Sequence, residues 1–191
     1  MPSDISNGWE VVAKSFMDIR SDIGTKTVRD WASALPKGAN ILDIGCGNGL
    51  PLTAALAQDG FHVSGIDASP TLAKAFQTNF PEFDVACEAA ENSHFFGRKF
   101  DGALAVGLIF LLPKAGQIKL IRRVADTLHS GGSFLFSAPA QECTWNDSLT
   151  GRSSLSLGMY EYRSQLAATG LALSGSLTDE GGNHYYCAQK A

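Results

Sequence analysis

The chain holds 191 residues, 45% apolar and 18% charged, with a formal net charge of −4. That length suits one domain of ordinary size and leaves no room for two full catalytic domains. Fifteen basic residues against nineteen acidic ones provide no positive excess for a phosphate backbone, so nucleic acid is not an expected partner.

Met1 to Glu10 carries Asp4 and Glu10 and no apolar stretch of the kind that heads a secretory leader, so no leader is expected. Trp9, Val12, Ala13, Phe16 and Ile19 or Arg20 then recur at the spacing of one helical face. A second helix follows Ser21-Asp22-Ile23-Gly24. Thr25 or Thr27 caps it, Val28, Trp31, Ala32 and Leu35 share a face, and Pro36 ends it. These first residues, 1–36, read as a helical cap ahead of a larger unit, 37–191.

From Gly38 the pattern turns to short apolar runs alternating with amphipathic segments. Strands are expected over 39–44, 61–66, 83–87, 101–106 and 133–138. Helices are expected over 50–58, from Ser69-Pro70 to Asn79, and over 115–129, where Gly131-Gly132 supplies the stop. The longest apolar run, Ala103 to Leu112, falls far short of the roughly twenty residues of a membrane span, so no bilayer crossing is expected. Residues 141–157 lack clear periodicity and read as a long loop, of the kind that is functional or disordered in a compact domain. A helix over 159–169 and strands over 171–177 and 184–189 close the chain, the strands joined by Asp179-Glu180-Gly181-Gly182 as a hairpin.

Strands alternating with helices imply βαβ units and a mainly parallel sheet covered on both faces. The closing hairpin adds one antiparallel strand. Cys46, Cys87, Cys143 and Cys187 stand far apart with no CxxC pair, which argues against a metal site or a disulfide scaffold and favours a reduced, cytoplasmic setting.

The chemistry concentrates in Asp43-Ile44-Gly45-Cys46-Gly47-Asn48-Gly49-Leu50-Pro51, at the end of the first strand. Alternate glycines after a buried strand permit a sharp turn and let backbone N–H groups approach a ligand that a Cβ would hold away. Gly45, Cys46, Gly47 and Gly49 are therefore candidate cofactor-binding positions, Cys46 with a small side chain that fills space between the glycines. A dinucleotide fingerprint would place glycine where Leu50 stands, and the Asp43 carboxylate would repel a pyrophosphate, which disfavours a nicotinamide-dependent oxidoreductase. The same carboxylate suits a ligand carrying an ammonium and a sulfonium, directly or through the loop. S-adenosylmethionine carries both. Asp67, eighteen residues beyond Gly49, is positioned to accept from two ribose hydroxyls. Glu88 can accept from an adenine amino group, with Ala89 and Ala90 leaving room for the ring.

These residues resemble the class I S-adenosylmethionine-dependent methyltransferases. Asp43 to Gly49 is similar to the family's first motif, Ile66-Asp67-Ala68-Ser69 to the acidic end of its second strand, and Cys87-Glu88-Ala89-Ala90-Glu91 to its adenine-side motif, where Asp is commoner than Glu88. Phe100 to Val106 resembles the fourth strand, and Leu128 to Leu135 the junction into the fifth. The resemblance spans about Lys37 to Lys190. It implies a Rossmann-like three-layer αβα sandwich with a seven-stranded, mostly parallel sheet whose last strand is antiparallel. It also implies S-adenosylmethionine as cofactor, bordered by Ala68 and Val106 beside the motif residues.

The remaining candidates serve an acceptor. His184 is the expected base for a hydroxyl or amine, since neutral imidazole operates near physiological pH. Tyr185 beside it and Trp145 in the aperiodic segment are expected substrate contacts, and Arg20 is a candidate partner for the cofactor carboxylate. Trp9, Phe16 and Trp31 read as packing residues. The expected activity is methyl transfer to a small-molecule acceptor. The rival expectation is a non-catalytic sensor or partner subunit that binds the same cofactor.

Overall fold

The computed structural model describes residues 4–191. Two helices, α1 (Trp9–Ile19) and α2 (Thr25–Ala32), precede a run in which strands and helices alternate. The run comprises β1 (Asn40–Ile44), α3 (Leu52–Gln58), β2 (His62–Asp67), α4 (Pro70–Asn79), β3 (Val85–Cys87), β4 (Phe100–Ala105), α5 (Lys114–Thr127) and β5 (Leu128–Ser137). The chain continues through β6 (Glu142–Asn146), β7 (Ser153–Leu157), α6 (Gly158–Ala167), β8 (Leu171–Thr178) and β9 (His184–Lys190).

Seven strands form one sheet in the order β3-β2-β1-β4-β5-β9-β8. All are parallel except β9, which runs antiparallel to both neighbours, β5 and β8. The central strands are buried on both faces, as their unbroken apolar runs require: Ile41, Leu42 and Ile44 of β1 and Ala103, Leu104 and Ala105 of β4 are all inaccessible. One face packs against α5 and α6 through Leu120, Ile121, Val124, Tyr162 and Leu166. The other packs against α2 and α3 through Val28, Trp31, Leu52 and Leu56. Trp31 is a packing residue as expected, and its Nε1–H donates to Ser133 Oγ at 2.8 Å. From β1 the chain proceeds outward one way through β2 and β3, then returns to β4 and proceeds the other way. The loops after β1 and β4 therefore part, and a crevice opens at the carboxyl ends of the strands.

Three boundaries depart from the sequence reading. Helix α5 ends at Thr127 rather than running to His129. Thr127 Oγ1 donates to the Arg98 carbonyl, and Lys190 Nζ donates to the carbonyls of Ala125 and Leu128, so tertiary donors finish the helix before Gly131-Gly132 is reached. Those glycines lie inside β5, where the pairing with β4 shifts register between Phe100 and Gly102. Helix α2 has no threonine cap. It starts after Gly24, at φ +86°, whose N–H donates to Glu180 Oε1, and it stops at Ala32. The segment expected to be a loop is a two-stranded hairpin, with Glu142 opposite Leu157 and Asn146 opposite Ser153. Its inward positions on β7 include Ser154 and Ser156, both buried, so the apolar alternation that announces a strand is missing.

Among the described residues no helix is long and apolar enough to cross a membrane.

Candidate functional site

The crevice deepens into a cavity of about 810 Å³, in the upper part of the ~300–1,000 Å³ range of small-molecule sites. The loop after β1 forms one wall. The N–H groups of Gly45 and Cys46 both donate to the Ile66 carbonyl, at 2.7 and 3.0 Å, and draw the loop onto the end of β2. Gly47 adopts φ +57°, and a Cβ there would stand 3.1 Å from the Phe16 ring, so glycine is needed both for the turn and for the approach of α1. Its N–H donates to Asp67 Oδ2 at 2.9 Å, while the Ser69 N–H donates to Oδ1 at 2.8 Å. Burial pushes the Asp67 carboxyl above the usual carboxylate range, against these two N–H bonds. Each oxygen holds one backbone donor and keeps capacity for another.

Glu88 follows β3, and its N–H donates to the Asp67 carbonyl at 3.0 Å, tying the two acidic positions together. Ser93 Oγ donates to its Oε1 at 2.8 Å, leaving Oε2 for a ligand. Gly45, Gly47, Asp67, Ala68, Glu88, Ala89, Ala90 and Val106 all line the cavity, as the sequence leads one to expect. The donor set fits the nucleoside part of S-adenosylmethionine. Asp67 offers carboxylate oxygens to hydroxyls, Glu88 offers one to an amino group, and Ala89 and Ala90 leave space beside it.

Three motif residues do not reach the cavity. Asp43 is 3% exposed and lies beneath the loop, where Thr53 Oγ1 donates to its Oδ2 at 2.7 Å, so of the two expected routes, direct or through the loop, it is placed for the second. Burial raises its carboxyl to about 6, opposed by the Thr53 bond. Cys46 packs with Phe76 and Phe80 in a small apolar cluster behind the loop, where burial raises its thiol far above the ordinary range, and it is not part of the cavity lining. Gly49 is also structural: a Cβ there would fall 2.4 Å from the Phe80 ring.

The opposite wall comes from distant elements. Because β9 runs antiparallel, its first residues, His184 and Tyr185, arrive at the carboxyl ends of the parallel strands. His184 lines the cavity with its ring edge-on to Tyr186, at 4.7 Å between centroids. Its Nε2 is buried with no hydrogen-bond partner among the described residues, and burial lowers its pKa, so the imidazole is neutral at physiological pH. Tyr185 also lines the cavity, but its hydroxyl donates to Asp179 Oδ2 at 3.0 Å, which removes the phenol from substrate chemistry. Burial and that carboxylate both raise its pKa. Trp145 reaches the wall from β6 and packs on Phe110 at 5.2 Å, and Arg20 reaches it from the end of α1.

Sequence reasoning placed Arg20 of the cap at the site but gave Trp9 and Phe16 a packing role. Trp9 and Phe16 do pack together, edge to face at 5.4 Å, but both also line the cavity. Glu10 fastens this helix to the ligand loop. It accepts from Ser69 Oγ, from the Thr71 N–H at 3.0 Å and from Thr71 Oγ1 at 2.6 Å, at the start of α4. On the other side Arg152, in the hairpin turn, donates to Asp4 Oδ2 at 3.1 Å and Asn7 Oδ1 at 3.0 Å. The signal in sequence was the pair of cavity-wall aromatics themselves, which have the same spacing as core residues on any amphipathic helix.

Comparison with known proteins agrees with this geometry. Residues 41–132 match the family model described as a methyltransferase domain. An aklanonic acid methyltransferase of a Streptomyces species is 31% identical over 109 residues, which is 53% of this chain and 49% of that protein. A ubiquinone biosynthesis O-methyltransferase of Xanthomonas campestris is 33% identical over 113 residues, 54% of this chain and 44% of the relative. The matched stretch thus spans about half the length of these curated relatives. Among solved structures, an amino pentose methyltransferase of Micromonospora echinaspora has the same fold, with a TM-score of 0.72 at 15% identity over 95% of this chain and 97% of that one. Strand order, glycine loop and these matches define a class I methyltransferase fold. Residues 41–132, just under half of the chain, carry the match to a methyltransferase domain, and the chain is similar in fold to S-adenosylmethionine-dependent methyltransferases.

Proposed function

We propose that this chain transfers a methyl group from S-adenosylmethionine to a small-molecule acceptor, with residues 1–36 acting as a cap over the cofactor-binding unit, 37–191. The single observation that carries the reading is a cavity with two dissimilar walls. One carries Asp67 and Glu88 beside the glycine loop, and the other carries His184 with an unpartnered ring nitrogen. A sensor of the cofactor has no use for the second wall.

When bound, S-adenosylmethionine supplies an electrophilic methyl on a sulfonium, whose S–C bond breaks as the acceptor–carbon bond forms, the electron pair staying on sulfur. Asp67 and Glu88 hold the nucleoside, and Arg20 pairs with the carboxylate of the amino-acid part. Asp43 acts from beneath the loop, its negative charge favouring the ammonium and the sulfonium above it. Most of the rate enhancement comes from alignment and exclusion of water. His184 Nε2 takes the proton that a hydroxyl or amine acceptor loses, and returns it to solvent after transfer.

The test combines calorimetry with turnover. S-adenosylhomocysteine should bind and NAD should not, and binding of NAD alone would remove the cofactor assignment. His184→Ala should lower kcat by about 10²–10⁴ on a hydroxyl or amine acceptor while leaving S-adenosylhomocysteine affinity unchanged. Equal turnover in the variant would remove His184 from catalysis.

A further inference from the structure

Five buried side-chain nitrogen or oxygen atoms among the described residues have no hydrogen-bond partner: Trp9 Nε1, Thr25 Oγ1, Arg29 Nε, Ser154 Oγ and His184 Nε2. Only Trp9 and His184 belong to the wall of the large cavity. A buried donor left without a partner costs roughly 1–3 kcal/mol, so such atoms are uncommon unless something else completes them. Packing does not demand the indole nitrogen of Trp9, because a phenyl ring at that position would keep the edge-to-face contact with Phe16.

Charge on the same wall narrows what completes them. Among the described residues Arg20 is the one Lys or Arg lining the cavity, and its charge falls on Asp43 below the glycine loop. Asp147, at the hairpin, has its Oδ1 occupied by the N–H groups of Leu149 and Thr150 and by Thr150 Oγ1, at 3.1, 2.7 and 2.8 Å. With Arg20 assigned to the cofactor, no cation remains on the wall for an anionic acceptor. The surroundings are instead aromatic: Trp9 with Phe16, and Trp145 with Phe110.

We propose that Trp9 is a specificity-determining residue, its indole N–H donating to an oxygen of an uncharged, hydroxylated aromatic acceptor whose reacting hydroxyl donates to His184 Nε2. The methyltransferase reading above underlies this assignment. Trp9 supplies the donor, His184 the acceptor, and the ring pairs select a planar molecule over an aliphatic one. Because Trp9 rides on α1, fastened through Glu10 to Ser69 and Thr71, the residue that reads the acceptor is coupled to the loop that holds the cofactor.

The experiment follows the indole N–H resonances of protein carrying labelled tryptophan, with S-adenosylhomocysteine bound and either catechol or para-hydroxyacetophenone added. The Trp9 resonance, assigned by its loss in Trp9→Phe, should move with at least one phenol, while that of Trp31, bonded to Ser133, should stay. Trp9→Phe should weaken binding of the same phenol about tenfold and leave S-adenosylhomocysteine affinity as it was, the latter also showing that the variant is folded. The proposal is overturned by a Trp9 resonance that neither phenol moves, by equal phenol affinity in Trp9→Phe, or by a response to glucosamine with none to either phenol. In all three cases bound S-adenosylhomocysteine leaves the methyltransferase reading standing. Failure of S-adenosylhomocysteine to bind the unaltered protein would overturn that reading and the proposal together.

Discussion

Asp43 illustrates how a motif carboxylate is held at a cost to the fold. Its carboxyl titrates at about 6 instead of 3.8 because burial disfavours the charge. Between those two values the unfolded chain has already released the proton that the folded chain retains, so stability falls as pH rises through that window. The difference corresponds to roughly 3 kcal/mol once both states are ionised. Asp43→Asn, which still accepts from Thr53, should therefore gain up to roughly that much stability at pH 7 and almost nothing at pH 4. Chemical denaturation of both proteins at the two pH values measures it, and a gain of the same size at pH 4 would refute the burial argument. The same variant should bind S-adenosylhomocysteine more weakly, since the ammonium loses its countercharge. At this scale the sequence was most legible where backbone geometry and charge act locally, as at Gly47 and Asp67. It was least legible where a side chain's role depends on how the chain folds back. Asp179 stands only six residues before Tyr185, yet spacing does not reveal that the turn brings it to the hydroxyl, and the spacing that places Trp9 beside Phe16 is the same whether the indole N–H is covered or faces a cavity.

Among the elements, α1 is held less by apolar packing than by the Glu10 bonds to the start of α4, since Ala13 is its one fully buried residue. The hydroxyl and N–H donors of Ser69 and Thr71 pull the Glu10 carboxyl below its ordinary range, so this contact persists above that range and is lost as acid protonates it. Glu10→Ala should cost roughly 1–3 kcal/mol of local stability. Hydrogen exchange should show α1 opening more often, with slower exchange in the sheet untouched, and weaker S-adenosylhomocysteine binding should accompany it. Unaltered exchange in α1 would mean that the helix is held by other contacts. Arg152→Ala, by contrast, removes a pair exposed by 48% and 41% and should alter global stability by no more than about 1 kcal/mol. The strands and helices of the sheet were legible because each is amphipathic or apolar in its own period. The hairpin was not, because serines occupy its inward positions, and the end of α5 was not, because Thr127 and Lys190 close it through tertiary bonds.

For the whole molecule, ligand binding and folding are linked through a cavity whose walls come from both ends of the chain. S-adenosylhomocysteine at a hundredfold excess over its Kd should stabilise the protein by about 2.7 kcal/mol. For a chain of this length that raises Tm by roughly 5–10 °C. A thermal scan with and without ligand checks it, and Asp67→Ala should abolish most of the rise. The mainly parallel sheet was readable from the alternation of periods and the seven strands from the family resemblance, whereas the strand order came only with the structure. Of the cavity's second wall the sequence named Arg20, Trp145, His184 and Tyr185, but not Trp9 and Phe16, whose spacing is that of core residues.

The hairpin of residues 142–157 stands outside the seven-stranded sheet, and its two ends meet, Glu142 opposite Leu157, with Ser156 Oγ bonded to the Pro139 carbonyl. A segment that leaves and re-enters the fold at one point can be lengthened, shortened or exchanged without moving β5 or α6. On the proposed reading, changes in this segment alter the part of the acceptor wall that carries Trp145 and leave Asp67 and Glu88 in place. Exchanging the stretch between Trp145 and Ser153, outside the core residues Leu155 and Leu157, is a second route beside Trp9 to a changed acceptor preference.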